Sequence, residues 1–392
     1  MMTDIVILSG ARTAIGTFGG SLSGLGPIEL ATIAFKAALE RAGVAGAQIG
    51  HVMLGHVINT EPRDMYVSRV AAIKASVPDT TPAMNVNRLC GSGAQAIVSA
   101  VQALQLADAD FALAGGAECM SRSPYILQQA RWGQKMGDVK ALDMMTGALT
   151  CPFGTGHMGV TAENVAREIT ISRADQDAFA LESQRRAAAA IAAGHFKAEI
   201  VPVEIVGRKG TVVFDTDEHP KVTSLEALAG LRPAFQKDGT VTAGNASGIN
   251  DGAAALVLAR ADAAAKAGLA PRARILGYAH AGVRPEVMGL GPVPAVRALL
   301  ARTGLKLNDF DWIESNEAFA AQAIAVTREL GLDPARVNPS GGAIALGHPV
   351  GATGALLTVK ALHALERTGG HRALITMCIG GGQGIALAIE RA

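Results

Sequence analysis

The sequence predicts an α/β fold of two equivalent halves, with a further segment inserted into the first. Short apolar runs of strand type alternate with amphipathic helical stretches, a pattern that builds βαβ units. The alternation then repeats at an offset of roughly 260 to 270 positions, as a duplicated unit would. Between the two copies lies a long stretch where alternation fails.

Asp4 to Ser9 is an apolar run ending at Gly10-Ala11-Arg12-Thr13, and a Gly-rich stretch leads on to Gly26-Pro27. Ile28 to Ala42 has helical spacing and is closed by Gly43. His51 to Val57 reads as a strand, Tyr66 to Ala75 as a helix, and Ala83 to Val86 and Phe111 to Ala114 as strands of a mainly parallel sheet. From Ser121 to Asn245 the pattern breaks into an isolated helix, Ala174 to Ala193, and a charged, turn-rich piece from Arg208 to Pro233. Long excursions of this kind usually carry function, so an inserted lobe that shapes a binding site is expected. The sheet pattern resumes at Ala253 to Leu258. Ala273 to Gly277 then echoes the opening strand, and Gly291-Pro292 with its helix echoes Gly26-Pro27. Asp311 to Glu314 echoes His51 to Leu54, and Ala373 to Met377 echoes Phe111 to Ala114. The expected division is 1–120 with 246–270, an inserted loop domain 121–245, and a second half 271–392.

Of 392 residues, 49% are hydrophobic and 18% charged, which provides a large core and argues against disorder. Aromatics are only 4% while Gly reaches 46, so small residues must pack helices closely on sheets. A net charge of +1 argues against nucleic acid or a membrane surface as partner, and leaves room for local basic sites that meet an anionic ligand. Cys90, Cys119, Cys151 and Cys378 are scattered without C-x-x-C spacing, so no disulfide framework and no metal site is expected. No basic region precedes Ile5-Val6-Ile7-Leu8, and every apolar run is interrupted before it could span a bilayer. A soluble, cytoplasmic protein is the expectation.

Cys90 lies in Asn87-Arg88-Leu89-Cys90-Gly91-Ser92-Gly93, directly before a run of good helix formers. A helix N-terminus favours thiolate over thiol, and small residues at 91 to 94 would let a substrate carbonyl approach the backbone. Two readings stay open on these residues alone: a nucleophile, or a small buried hydrophobe at a turn. The corresponding place in the second half is Asn338 to Gly354, where His348 sits between Gly and Pro before a helix running to about Leu365. Thr376 to Gly384 ends a strand with Cys378 facing a glycine-rich turn, which lacks the Lys-Ser/Thr of a phosphate loop. Ligands of α/β sheets bind beyond the carboxyl ends of strands, so Cys90, His348 and Cys378 are expected to converge. Ser315-Asn316-Glu317 adds an amide and a carboxylate at another strand tip.

Four motifs in this order and spacing, N-x-x-C-G-S-G from Asn87, N-E-A-F-A from Asn316, G-G-x-I-x-L-G-H-P-x-G-A-T-G from Gly341 and C-I-G-G-G-Q-G from Cys378, resemble the thiolase family. Val241 to Gly252 and His157 to Asn164 match it as well, so the resemblance covers essentially the whole chain. The nearest likeness is to the soluble, tetrameric acetyl-CoA acetyltransferase and 3-ketothiolase branch. The resemblance implies two mixed five-stranded sheets in an α-β-α-β-α layering. It also implies a reversible Claisen condensation of two acetyl-CoA to acetoacetyl-CoA, or thiolysis of short 3-ketoacyl-CoA, in fatty acid metabolism. Coenzyme A and acyl-CoA are then substrates, with no cofactor and a homotetramer as the assembly.

By the same resemblance Cys90 is the acylated nucleophile, His348 takes its proton, and Cys378 is the acid/base for the α-carbon and the CoA thiol. The enolate oxygen would meet His348 and a water held by Asn316; the acyl-enzyme oxygen would meet the N–H groups of Cys90 and Gly380. Ser247 and His157 would contact pantetheine, with Ala243 and Phe235 also on the CoA side. Met158, Met288 and Phe319 would line the acyl pocket. In Asp217 to Thr223 the chain departs from the family pattern. That loop is a residue or two short and carries Lys221 where Arg is common, which keeps a charge for the nucleotide but loses stacking. Glu317 is expected to hold the loop of Asn316, and Cys119 and Cys151 to be packing or loop residues. A ketoacyl synthase would share the fold, but a second Cys at 378 argues against it. A non-catalytic CoA- or lipid-binding member would have lost the nucleophile or its His, and both are kept.

Overall fold

The computed structural model describes residues 4–208 and 210–392. The core elements of the first half are β1 (Ile5–Thr13), α1 (Pro27–Ala42), β2 (His51–Gly55), α2 (Val67–Lys74), β3 (Ala83–Val86), α3 (Ser92–Gln105) and β4 (Phe111–Cys119). Residues 120–249 contain α4 (Met158–Glu168), α5 (Arg173–Ala192) and a hairpin of Val203–Gly207 with Gly210–Phe214. The core continues with β5 (Asn250–Arg260), β6 (Ala273–Gly282), α6 (Pro292–Thr303), β7 (Trp312–Ser315), α7 (Ala320–Leu330), α8 (Thr353–Thr368), β8 (Arg372–Ile379) and β9 (Gln383–Arg391).

The sheet order is β3-β2-β4-β5-β1 in the first half and β7-β8-β9-β6 in the second. Strands joined through a helix are parallel, as in β2 with β3, β2 with β4, and β7 with β8; the remaining neighbours are antiparallel. The sheet is therefore mixed, because only the crossover connections impose parallel pairing. Two corrections to the expected pair of five-stranded sheets follow. Val6 pairs with Arg274 and Ile7 with Ala273, so β1 and β6 join the halves into one continuous sheet. Among the described residues the second half has four strands, and its counterpart of β3 is a single bridge between Val337 and Ile313. The chain leaves that bridge at Asn338, whose φ of 46° ends extended pairing.

Five layers result. α1 covers β1, β4 and β5, α6 covers β6 and β9, and α3 and α8 lie together between the two halves of the sheet. That central position explains α8, in which every residue from Thr353 to Leu365 is buried; a helix enclosed on all sides has no need of a polar face. Lys360 is tolerated there because its ammonium donates to Glu314 at 2.9 Å and to the Gly341 carbonyl at 3.1 Å. A Cβ on Gly354 would stand 2.2 Å from the Ala94 nitrogen, and one on Gly93 2.7 Å from the Ala355 nitrogen. The glycines near Cys90 thus serve helix packing. They bring the N-termini of α3 and α8 to one place.

The excursion leaves β4 and returns to β5, two strands that pair with each other along their length. In the second half the equivalent strands β8 and β9 are joined by Gly380, Gly381 and Gly382 alone. The excursion is tied down through Arg12, fully buried on β1. Its guanidinium holds Asp217 in a bidentate pair at 2.7 and 2.9 Å and Glu199 at 2.7 Å. A fork of fixed donors suits two carboxylates in a buried site.

Candidate active site

A cavity of about 520 Å³ opens between the excursion and the ends of α3 and α8. Of the residues singled out from the sequence, Cys90, His348, Cys378, Gly380, Ser247, His157, Met158, Lys221, Ala243, Phe235, Met288 and Phe319 line it. Asn316 stands just behind the wall, its Nδ2 3.5 Å from Nε2 of His348.

Cys90 precedes the Gly91 cap of α3 and follows Leu89, whose φ of 45° is unusual for a side-chain-bearing residue. The turn is held by Ser92 Oγ, which accepts from the Arg88 N–H at 2.8 Å and donates to the Leu89 carbonyl at 2.6 Å. Strain of this kind at a ligand cavity re-aims the next side chain. The N–H groups of Gly380 and of Cys90 itself point to the sulfur, yet burial pushes the thiol up to about 11. Desolvation outweighs the helix end, so Cys90 rests as a thiol and needs a base.

His348 lines the same cavity. Its Nδ1 lies 2.6 Å from Thr353 Oγ1, and that hydroxyl lies 2.8 Å from the Pro349 carbonyl. A carbonyl only accepts, so both contacts are satisfied when Thr353 donates to Pro349 and accepts from His348 Nδ1–H. Nε2 is left with its lone pair directed to Asn316 Nδ2 and the cavity side. Burial lowers the imidazole to about 4, so it is neutral near pH 7. The loop before it is anchored by the His348 N–H, which donates to Asn250 Oδ1 at 2.9 Å.

Cys378 closes β8 at the cavity floor, buried, and burial together with the nearby Cys90 sulfur raises its thiol well above the usual range. Asn316 Oδ1 is buried without a partner; a buried acceptor in that state suits a bound water. Glu317 accepts from Ser183 Oγ at 2.6 Å, Asn338 Nδ2 at 2.8 Å and the Ile344 N–H at 3.2 Å, and so braces the Asn316 loop. Cys119 and Cys151 are both buried and do not line the cavity, although Cys151 packs behind it in one cluster with Met158, Met288, Phe319 and Cys378.

On the opposite wall His157 caps α4, accepting the Gly159 N–H at Nδ1 over 3.1 Å, and stacks on Phe235 with centroids 4.7 Å apart. Phe235 meets Phe319 edge-on at 6.1 Å. Met158, Met288 and Phe319 are buried and form an apolar cluster with Cys378. Lys221 is exposed at the rim. The sequence reading missed Val57, Leu149 and Val350 among the apolar lining, and His219 among the polar. His219 lies in the short loop that the sequence flagged, but nothing in the pattern marked its ring.

No helix among the described residues is long and apolar enough to cross a membrane, and no cluster of His, Cys, Asp and Glu there could hold a metal ion.

A duplicated α/β scaffold that sets two cysteines and a neutral histidine on one cavity defines a class of acyl-transfer proteins, and the comparisons with known proteins are specific about which. The thiolase N-terminal domain family matches residues 5–262 and the thiolase C-terminal domain family residues 269–391. The chain belongs to the thiolase family. It is 60% identical to beta-ketothiolase BktB of Cupriavidus necator over the full length of both chains. Among solved structures it is similar to the Bacillus anthracis acetyl-CoA acetyltransferase, with a TM-score of 0.98 and 46% identity over 100% of this chain and 99% of that one. The human mitochondrial 3-ketoacyl-CoA thiolase in complex with CoA gives a TM-score of 0.96 at 43% identity, covering 100% and 98%.

Proposed function

We propose that this thiolase catalyses the reversible condensation of two acetyl-CoA to acetoacetyl-CoA and CoA, and thiolysis of short 3-ketoacyl-CoA, through an acyl group carried on Cys90. The observation that carries the reading is that Cys90, Cys378 and His348 line one cavity, with Thr353 holding the His348 proton on Nδ1. In thiolysis His348 Nε2 takes the Cys90 proton as the sulfur attacks the 3-keto carbon. The C2–C3 bond breaks, and its electron pair becomes the enolate of acetyl-CoA, which Cys378 protonates. The Cys378 thiolate then takes the proton of an incoming CoA thiol. The resulting CoA thiolate attacks the acyl-Cys90 carbonyl and releases the shortened acyl-CoA, and the departing Cys90 sulfur takes back its proton from His348. His348 and a water on Asn316 serve the enolate oxygen, and the N–H groups of Cys90 and Gly380 serve the acyl oxygen. Donors of this sort are worth about 3–4 kcal/mol each in comparable enzymes.

Ser247, His157, Ala243 and Phe235 face the pantetheine arm in this reading, Lys221 the nucleotide, and Met158, Met288 and Phe319 the acyl group. The CoA complex of the similar human thiolase supports CoA as ligand. No cofactor takes part. Residues 121–245 act as a loop domain inserted into the first half, 1–120 with 246–270; the second half is 271–392. The loop domain exposes Tyr125, Leu127, Trp132 and Met136, with Trp132 at 85% and Met136 at 90%, a surface suited to burial in a homotetramer. A cytoplasmic location completes the reading.

The test is purified protein with CoA and acetoacetyl-CoA. Loss of the 3-keto thioester with two equivalents of acetyl-CoA formed is the expected result, and Cys90→Ser abolishes it. A protein that consumes no thioester, or a Cys90→Ser variant at full rate, ends the proposal. Light scattering of the intact protein reports the tetramer.

A further inference from the structure

Three histidines line the cavity, and the protein fixes the tautomer of each. His348 is held with its proton on Nδ1 and its Nε2 lone pair toward Asn316 Nδ2 and the cavity, whereas His157 Nδ1 accepts a backbone N–H and so keeps its proton on Nε2. The third is His219, in the loop between the Arg12 anchor at Asp217 and Lys221 at the rim.

Asn250, fully buried, settles its state. The Asn250 Oδ1 accepts the His348 N–H at 2.9 Å, and its Nδ2 donates to the Gly16 carbonyl at 2.9 Å. A backbone N–H cannot accept and a carbonyl cannot donate, so the amide has one possible orientation. Its Nδ2 also lies 3.3 Å from His219 Nδ1, which must therefore accept. The His219 ring then carries its proton on Nε2. Burial and the neighbouring Lys221 lower the ring to about 4, so it is neutral.

From this geometry we infer that His219 is a substrate-positioning residue, a tautomer-locked neutral donor whose Nε2–H binds an amide carbonyl of the pantetheine arm. The inference rests on the proposed CoA thioester chemistry. A neutral N–H in a half-buried wall matches an uncharged acceptor, and the phosphates of the nucleotide are left to the exposed Lys221. Asn250 makes the same amide serve two ends, holding the catalytic loop through Oδ1 and the substrate donor through Nδ2.

The experiment compares kcat/KM for acetoacetyl-pantetheine, which has both amides, with S-ethyl acetothioacetate, which has none. In His219→Ala the ratio of the two falls by on the order of tenfold, the cost of one hydrogen bond, mainly through KM for the pantetheine substrate. His219→Gln, whose amide can accept from Asn250 and still present an N–H, restores most of the ratio. Equal losses on both substrates, or an unaltered ratio in His219→Ala, overturn the inference. Wild-type turnover of acetoacetyl-CoA is measured alongside, and its absence would instead sink the thiolase reading.

Discussion

Thr353 Oγ1 stands 2.6 Å from His348 Nδ1, and this contact decides which nitrogen of the imidazole keeps its lone pair. Because the same hydroxyl donates to Pro349 within the first turn of α8, the tautomer is set by helix geometry rather than by a charged partner. Thr353→Ala removes the acceptor and leaves Nδ1–H buried without one. We expect kcat/KM for acetoacetyl-CoA to fall about tenfold, near the net worth of such a bond, while Thr353→Ser stays close to wild type. Steady-state rates of the two variants decide the point, and equal losses would refute it.

Gly354 tests the packing that brings the two halves of the site together. An alanine there places its Cβ 2.2 Å from the Ala94 nitrogen, so α3 and α8 must separate. Overpacking of this sort costs about 1–3 kcal/mol. The urea midpoint of Gly354→Ala should drop accordingly, and kcat should drop with it because the His348 loop rides on α8.

Glu118 is buried at the end of β4 and accepts from the N–H groups of Val57 and Ile58 at 3.1 Å each and of Gly351 at 2.9 Å. His56 stands 3.4 Å away. One carboxylate thus clamps the loop after β2 to the loop after His348. Glu118→Ala strands three donors, and we expect a stability loss of about 3–5 kcal/mol in denaturant titration. A loss below about 1 kcal/mol would show that the loops hold themselves.

His363, buried on α8, is lowered to about 4 mainly by desolvation. The unfolded chain binds its proton near pH 6.5 and the folded chain only near pH 4. Its contribution to stability is therefore complete above about pH 6.5 and lost progressively as pH falls toward 4. Within that window His363→Gln should show a pH dependence of unfolding free energy shallower than wild type by up to about 1.4 kcal/mol per pH unit. Urea titrations at pH 7 and pH 5 measure the difference; parallel slopes would contradict it.

The duplicated alternation and the glycine-rich turns made the two halves and the convergence of Cys90, His348 and Cys378 at strand ends legible, whereas the layering came only through the resemblance to the thiolase family. What escaped depends on three-dimensional detail. The thiol state of Cys90 is set by burial, which overrides the nearby helix end and which spacing cannot report. The missing fifth strand turns on the positive φ of Asn338. The donor state of His219 is fixed by an amide whose own orientation comes from Gly16 and His348, residues far from it in the chain.

The link between β4 and β5 runs over residues 120–249, whereas the link between β8 and β9 is three glycines. A hairpin position that accepts either length is a graft point, where sequence can be added without renegotiating the sheet on either side. Pocket-shaping residues such as Leu149 and Met158 ride on the graft, while Cys90, His348 and Cys378 belong to the scaffold. One wall of the cavity can accordingly change shape while Met288, Phe319 and the two cysteines on the scaffold stay where they are.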